Sequence, residues 1–125
     1  MTTGPEHTSP GLDLTIPLTA TDAQALGDDA QLLAARLGEV LHGVALLRTG
    51  GADTDDLTTV IKATTDLLET VKGVRNAAVR QHAAQGGSYG ALGRSMGVSR
   101  ATAQSRRDPL LKKDPSAMEQ WATGG

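Results

Sequence analysis

The 125-residue sequence contains no cysteine and no phenylalanine, and only one tyrosine, Tyr89, and one tryptophan, Trp121. Without cysteine there is no disulfide, no thiolate metal site and no thiol chemistry, and a reducing compartment is permitted. With so few aromatics, Leu, Val and Ala must fill the core. Those residues recur at helical spacing, which points to helices packed on helices rather than to a sheet. Asn, Ile and Lys are scarce while Ala, Gly, Thr and Arg abound, a composition that suggests a GC-rich bacterial genome. The opening MTTGPEHTSPG lacks a basic stretch followed by an apolar run, so no secretory signal is expected. No apolar run approaches the roughly 20 residues that span a bilayer. The expectation is a soluble, cytoplasmic protein with no membrane partner.

Constellations of catalytic or metal-binding residues are also missing. His7, His42 and His82 are scattered and share no motif. Ser88, Ser95, Ser99 and Ser105 have no base–acid pair near them in sequence and read as caps or polar contacts. Asp53, Asp55 and Asp56 hint at a cation, but acids at a helix start are explained by the helix dipole alone. Gly86-Gly87 is followed by no lysine, so it is not a phosphate-cradling loop. Neither an enzyme nor a bound metal or cofactor is expected.

Net charge is −2, and the sum hides a division. Residues 1–83 hold six Lys/Arg against eleven Asp/Glu. Residues 84–113 hold Arg94, Arg100, Arg106, Arg107, Lys112 and Lys113 against Asp108 alone. Asp114 and Glu119 follow. A polyanion would be drawn to one segment and repelled by the remainder.

Along the chain, residues 1–11 are a polar, Pro/Gly/Thr-rich tail with the composition of disorder. Residues 12–84 read as a helical dimerisation region that opens with an extended arm. In the arm, Leu12, Leu14, Ile16 and Leu18 alternate with polar residues or Pro17, suiting a short β-arm at a sheet edge or an ordered linker over the helices. Thr21 or Asp22 can cap a helix reaching about Arg48, with Leu33, Leu37, Val40, Val44 and Leu47 along one stripe. Gly50-Gly51 ends it, and Asp53 or Thr54 caps a second helix running to about Ala84. On that helix Val60, Thr64, Leu67, Val71, Val74 and Ala78 make a second stripe, with Leu57, Ile61 and Leu68 beside it. Both stripes are wider than one helix–helix seam needs. A homodimer built as a four-helix bundle from two hairpins buries the surplus. The rival is a monomer whose hairpin folds back over its C-terminal helices.

Residues 85–113 carry the motif. Ser88 caps a short helix to about Met96, Gly97 turns the chain, and Ser99 caps another helix that Asp108-Pro109 stops after about 10 residues. Gly93 allows close approach of the two helices, and Gly97 suits a positive φ. Leu92, Met96, Val98 and Ala103 supply the apolar contacts. Facing outward, Arg100, Gln104 and Arg107 share a stripe, flanked by Ala101 and Ser105. Arg can fork onto guanine and Gln onto adenine, and Ala101 suits a thymine methyl. Ser99 and its neighbouring amides, Arg94, Arg106, Lys112 and Lys113 suit phosphates. The tail, 114–125, has capping-box spacing at Ser116 and Glu119, with Leu110, Leu111, Met118 and Trp121 able to pack it back.

The segment SYGALGRSMGVSRATAQSRR resembles the helix–turn–helix of bacterial transcription regulators, above all the compact form of sigma-factor region 4. The likeness covers about 20 residues, 88–108. Leu92, Gly93, Met96, Gly97, Val98 and Ala103 match the structural positions. Arg100, Ala101, Gln104 and Ser105 match the positions that usually face the major groove. Asp108, at the far end of the recognition helix, departs from the pattern, and no wing is evident.

The expectation is therefore an all-α chain, a long helical hairpin followed by a C-terminal helix–turn–helix. It would bind double-stranded DNA sequence-specifically as a homodimer, in transcriptional regulation or in plasmid or chromosome maintenance. The alternative is a helical adaptor that docks on a protein such as RNA polymerase without reading DNA.

Overall fold

The computed structural model describes residue 11 and residues 13–125. These form six helices, and no strand occurs among them. Leu12 of the expected arm lies outside the described residues. Residues 13–19 adopt no regular structure in the single chain, and Leu14, Ile16 and Leu18 stand exposed.

The expected first helix is two helices, α1 (Ala20–Leu26) and α2 (Asp29–Thr49). Its cap is Thr19 rather than Thr21 or Asp22. The Thr19 hydroxyl accepts from the Asp22 amide and the Asp22 carboxylate answers at the Thr19 amide, a reciprocal capping box. The break falls at Gly27, whose φ of +55° cannot continue a helix. Helix α3 (Thr54–Ala84) starts from a second capping box, Asp53 with Asp56. Two of the three clustered acids are thus spent on satisfying amides.

Helices α2 and α3 form an antiparallel hairpin whose contact line is made of small and polar residues. Gly43 lies against Val60: a Cβ at Gly43 would come within 2.8 Å of a Val60 methyl. Arg36 reaches across to the Thr70 hydroxyl at 2.7 Å and the Asp66 carbonyl at 2.8 Å. Thr70 is 0 % exposed, and its own hydroxyl donates to the Asp66 carbonyl. Ala63 completes this buried row. Among the described residues, α2 is the one helix whose length and mean hydropathy, 1.3 over its most apolar window, would suffice to cross a membrane. Arg36 near its middle, however, is tied into the hairpin.

The register sets Gly43 beside Val60 and Arg36 beside Asp66–Thr70, so the last turns of α3 project beyond α2. They carry the rest of the chain on two sides. On one side sit α4 (Tyr89–Met96) and α5 (Arg100–Leu111). On the other sits α6 (Ala117–Ala122), laid along Thr70, Gly73, Ala77 and Arg80. The spacing 3, 4, 3 of those four positions is one helical face. A Cβ at Gly73 would come within 2.8 Å of the Met118 backbone, so only glycine lets α6 lie this close. Ser116 and Glu119 form the expected capping box, and Glu119 also pairs with Arg80.

One boundary differs at the far end. α5 does not stop at Asp108-Pro109 but runs 12 residues in all, from Arg100 to Leu111, with Pro109 inside it. Proline removes the bond to the Ser105 carbonyl. Ser105 and Pro109 are both exposed, so water can serve that carbonyl, and the last turn is closed by Lys112 and Lys113 amides reaching back three residues.

Candidate nucleic-acid interface

The basic segment folds into a corner of two short helices. Ser88 caps α4 by accepting from the Ala91 amide at 3.0 Å. α4 ends at Gly97, with φ +68°, a conformation open to glycine at little cost. The Val98 amide then bonds back to the Gly93 carbonyl at 2.9 Å, which fixes the turn. Ser99 caps α5 by accepting from Thr102 at 3.1 Å and donates to the Thr102 hydroxyl. A Cβ on Gly93 would sit 2.9 Å from the Val98 carbonyl oxygen and 3.1 Å from that of Ser99. The close approach expected of Gly93 is therefore made against the turn itself.

Val79 of α3, Leu92 of α4 and Ala103 of α5 form the core of this corner, with Met96, Val98 and Leu110 packed around them. Ala103 is 0 % exposed, which fixes the roll of α5. Positions two before and two after it point the opposite way, about 200° round the helix. Those are Ala101 and Ser105, both exposed, with Arg100 and Gln104 exposed beside them. The four residues expected to face a groove thus share an open surface. Arg94 on α4, Arg106 on α5, and Lys112 and Lys113 beyond it are exposed too. Among the described residues the ion pairs are Lys62–Asp66 and Arg80–Glu119, and neither draws on this set.

Arg107 departs from the expected stripe. Its guanidinium lies over the Tyr89 ring, 3.8 Å from the centroid, and donates to the Gly87 carbonyl at 2.8 Å. Tyr89 in turn donates its hydroxyl to Asp108 at 2.6 Å. Arg107 and Asp108 therefore brace the start of α4 against the end of α5. The acid that breaks the sequence pattern is accounted for by this bond. Arg100, 5.7 Å from the same ring, borders the brace with no ion-pair partner among the described residues.

Arg75 is the residue that sequence reading passed over. It stands on α3, outside the basic segment, yet shares a shallow depression with Arg106 and Lys113 of the C-terminal part. Only the helical phase of α3 relative to Val79 could have signalled it. The presumed dimer residues divide. Val40, Val60 and Leu67 are half-buried, with Val60 on the contact line against Gly43, while Leu33, Leu37, Val44, Val71 and Val74 are exposed. No family model, curated protein or solved structure matches the chain.

Proposed function

We propose that the chain binds double-stranded DNA by inserting α5 into the major groove, with α4, its turn and α5 acting as a helix–turn–helix of the bacterial regulator type. The observation that carries this reading is the outward face of α5. Arg100, Ala101, Gln104 and Ser105 are exposed and uncommitted to ion pairs, on a helix whose roll is fixed by Ala103. Such a face offers forked donors for guanine, an amide for adenine and a small apolar contact for thymine. Arg94, Arg106, Lys112 and Lys113 surround it with cations suited to phosphate, and the first amides of α5 add a helix start. Arg107 contributes by holding the corner.

A second copy completes the molecule. Leu33, Leu37, Leu41 and Val44 on α2 and Leu57, Ile61, Leu68 and Val71 on α3 are exposed leucines, isoleucine and valines. The two rows are offset in the same rotational sense from the Gly43 and Ala63–Thr70 contact line. In an antiparallel pair this sets them on one side of the hairpin. Two such faces make a four-helix bundle. A two-fold dimer then presents two α5 helices to half-sites about 34 Å apart, or a multiple of it. The cellular role is transcriptional regulation or the maintenance of a plasmid or chromosome, in the cytoplasm.

Selection of bound fragments from a random duplex pool tests binding, specificity and symmetry together. An inverted repeat is the expected product. Recovery of no enriched sequence, with no retention of duplex at low salt, would reject the reading in favour of a protein-docking adaptor.

A further inference from the structure

Helix α3 belongs to the hairpin and is neutral as a whole, with four Lys/Arg against four Asp/Glu. Its exposed face nevertheless brings Arg75 to the junction with α5. Arg75, Arg106 and Lys113 line one depression, whose floor includes Val79, Leu92, Met96 and Leu110. Lys72 and Lys113 line the adjoining hollow, together with Glu69 and Asp114. None of the cations Lys72, Arg75, Arg106 and Lys113 has an ion-pair partner among the described residues.

Position along α5 gives this cluster its meaning. Arg100 and Arg107 flank Ala103 on the Tyr89 side of α5. Arg106 flanks it on the α3 side, where Arg75 and Lys113, two residues beyond the end of α5, meet it in one depression. The reading face at Ala101 and Ser105 therefore has a cationic wall towards α3. A helix seated in a major groove has a phosphate strand along each side, so a wall at this place meets one of them.

From this we infer that Arg75, with Arg106 and Lys113, forms a phosphodiester-binding track for the DNA strand on the α3 side of the recognition helix. The inference rests on the DNA-binding reading and extends it to the hairpin. The same helix that carries the apolar dimer face would then also grip the backbone, so the angle between α3 and DNA is set by contact rather than by the corner alone. Phosphate contacts fix register and orientation without reading sequence. Lys72 shares its hollow with the carboxylates of Glu69 and Asp114 and is not counted in the track.

The test uses the full-length chain and two probes, the duplex recovered by selection and a scrambled duplex of equal length. Binding is measured across a salt series for the wild type, Arg75→Ala, Arg75→Lys and Lys62→Ala. Lys62 is a control for net charge: it is exposed and lies thirteen residues, about 20 Å, from Arg75 along α3. Arg75→Ala should flatten the slope of log affinity against log salt by about 1 on both probes. Arg75→Lys should restore most of the slope, and Lys62→Ala should leave it unchanged. Far-ultraviolet circular dichroism, expected to match the wild type, separates lost contact from lost fold, and Arg75→Gln, which also removes the charge, serves as the test if the alanine variant is unfolded. An unchanged slope in Arg75→Ala, a loss confined to the selected duplex, or an equal loss in Lys62→Ala overturns the track while leaving DNA binding standing. Absence of wild-type binding overturns both.

Discussion

Gly93 and Gly97 serve the same corner by different means. Gly97 supplies a backbone angle, whereas Gly93 supplies an absence of atoms against the Val98 and Ser99 carbonyls. Gly93→Ala puts a methyl where two backbone oxygens sit, and backbone cannot rotate aside. A cost of about 1–3 kcal/mol is expected, the usual range for overpacking. Thermal unfolding of Gly93→Ala should show a lowered midpoint, and an unchanged midpoint would mean that the turn is looser than described. The brace gives a contrasting pair of variants. Tyr89→Phe removes the hydrogen bond to half-buried Asp108 and should cost about 1 kcal/mol. Gln104→Ala touches nothing internal and should leave stability within about 0.5 kcal/mol of wild type. On DNA the order reverses. Gln104→Ala should weaken the selected duplex by about 1–3 kcal/mol and relax preference at one base step, while Tyr89→Phe weakens all sequences alike. Binding isotherms on the selected duplex and its single-base variants decide between these outcomes.

At the scale of elements, α6 packs Met118 against Gly73 and Thr70 and adds one buried carboxylate to that contact. Glu119 is 4 % exposed, caps its own helix through Ser116 and meets Arg80 of α3. Burial pushes its carboxyl up. The Ser116 amide, the Arg80 guanidinium and the Ser116 hydroxyl outweigh that and leave it below its ordinary value of 4.5. A carboxyl whose folded value lies below its unfolded value stabilises the fold above the unfolded value and loses that contribution as pH falls through the folded one. The docking of α6 should therefore be constant above pH 4.5 and weaken below it. Trp121, the only tryptophan, sits half-buried on α6 and reports the change by fluorescence. Glu119→Gln should abolish this acid transition, and its persistence would assign the transition elsewhere. Most of these elements were legible because caps are local: Asp53, Ser88, Ser99 and Ser116 each announce a helix within four residues. The roll of each helix was less legible. The aliphatic stripe through Val60 and Leu67 suggested one seam, whereas the hairpin closes on Gly43, Ala63 and Thr70, with Val60 set against Gly43. Small residues give no strong periodic signal, and Arg36 bridging to Thr70 is a contact thirty-four residues apart that no local pattern contains. In the site, the exposed set Arg100, Ala101, Gln104 and Ser105 could be read from spacing alone. The roles of Arg107 and Asp108 could not, because both depend on where Tyr89 lies.

The whole molecule has more surface than a closed monomer of its mass. Its accessible area is 9073 Å², where about 6,300 Å² is usual for a folded monomer of 12.9 kDa. Some of the excess belongs to residues 13–19, where Leu14, Ile16 and Leu18 are exposed. The hairpin accounts for more of it: Ile61 is 66 % exposed, Leu68 63 % and Val71 53 %. These three lie on one face of α3, beside the exposed row of α2, and an apolar patch of this kind is the face on which the proposed second copy would sit. Obligate dimers bury upwards of about 2,000 Å², which sets the scale of burial the proposed dimer calls for. A single charge there is costly because an isologous interface would bury it twice, once from each copy. Leu68→Glu should accordingly give a monomer in sedimentation equilibrium at concentrations where the wild type is a dimer. Helix content should survive, since Leu68 lies off the Gly43–Thr70 line that closes the hairpin. Affinity for an inverted repeat should fall steeply, while affinity for an isolated half-site should hardly move, because each α4–α5 corner keeps its own core of Val79, Leu92 and Ala103. A wild type that sediments as a monomer would assign the exposed face to a different partner, and an equal loss on half-site and full site would mean that the hairpin and the corner do not fold independently.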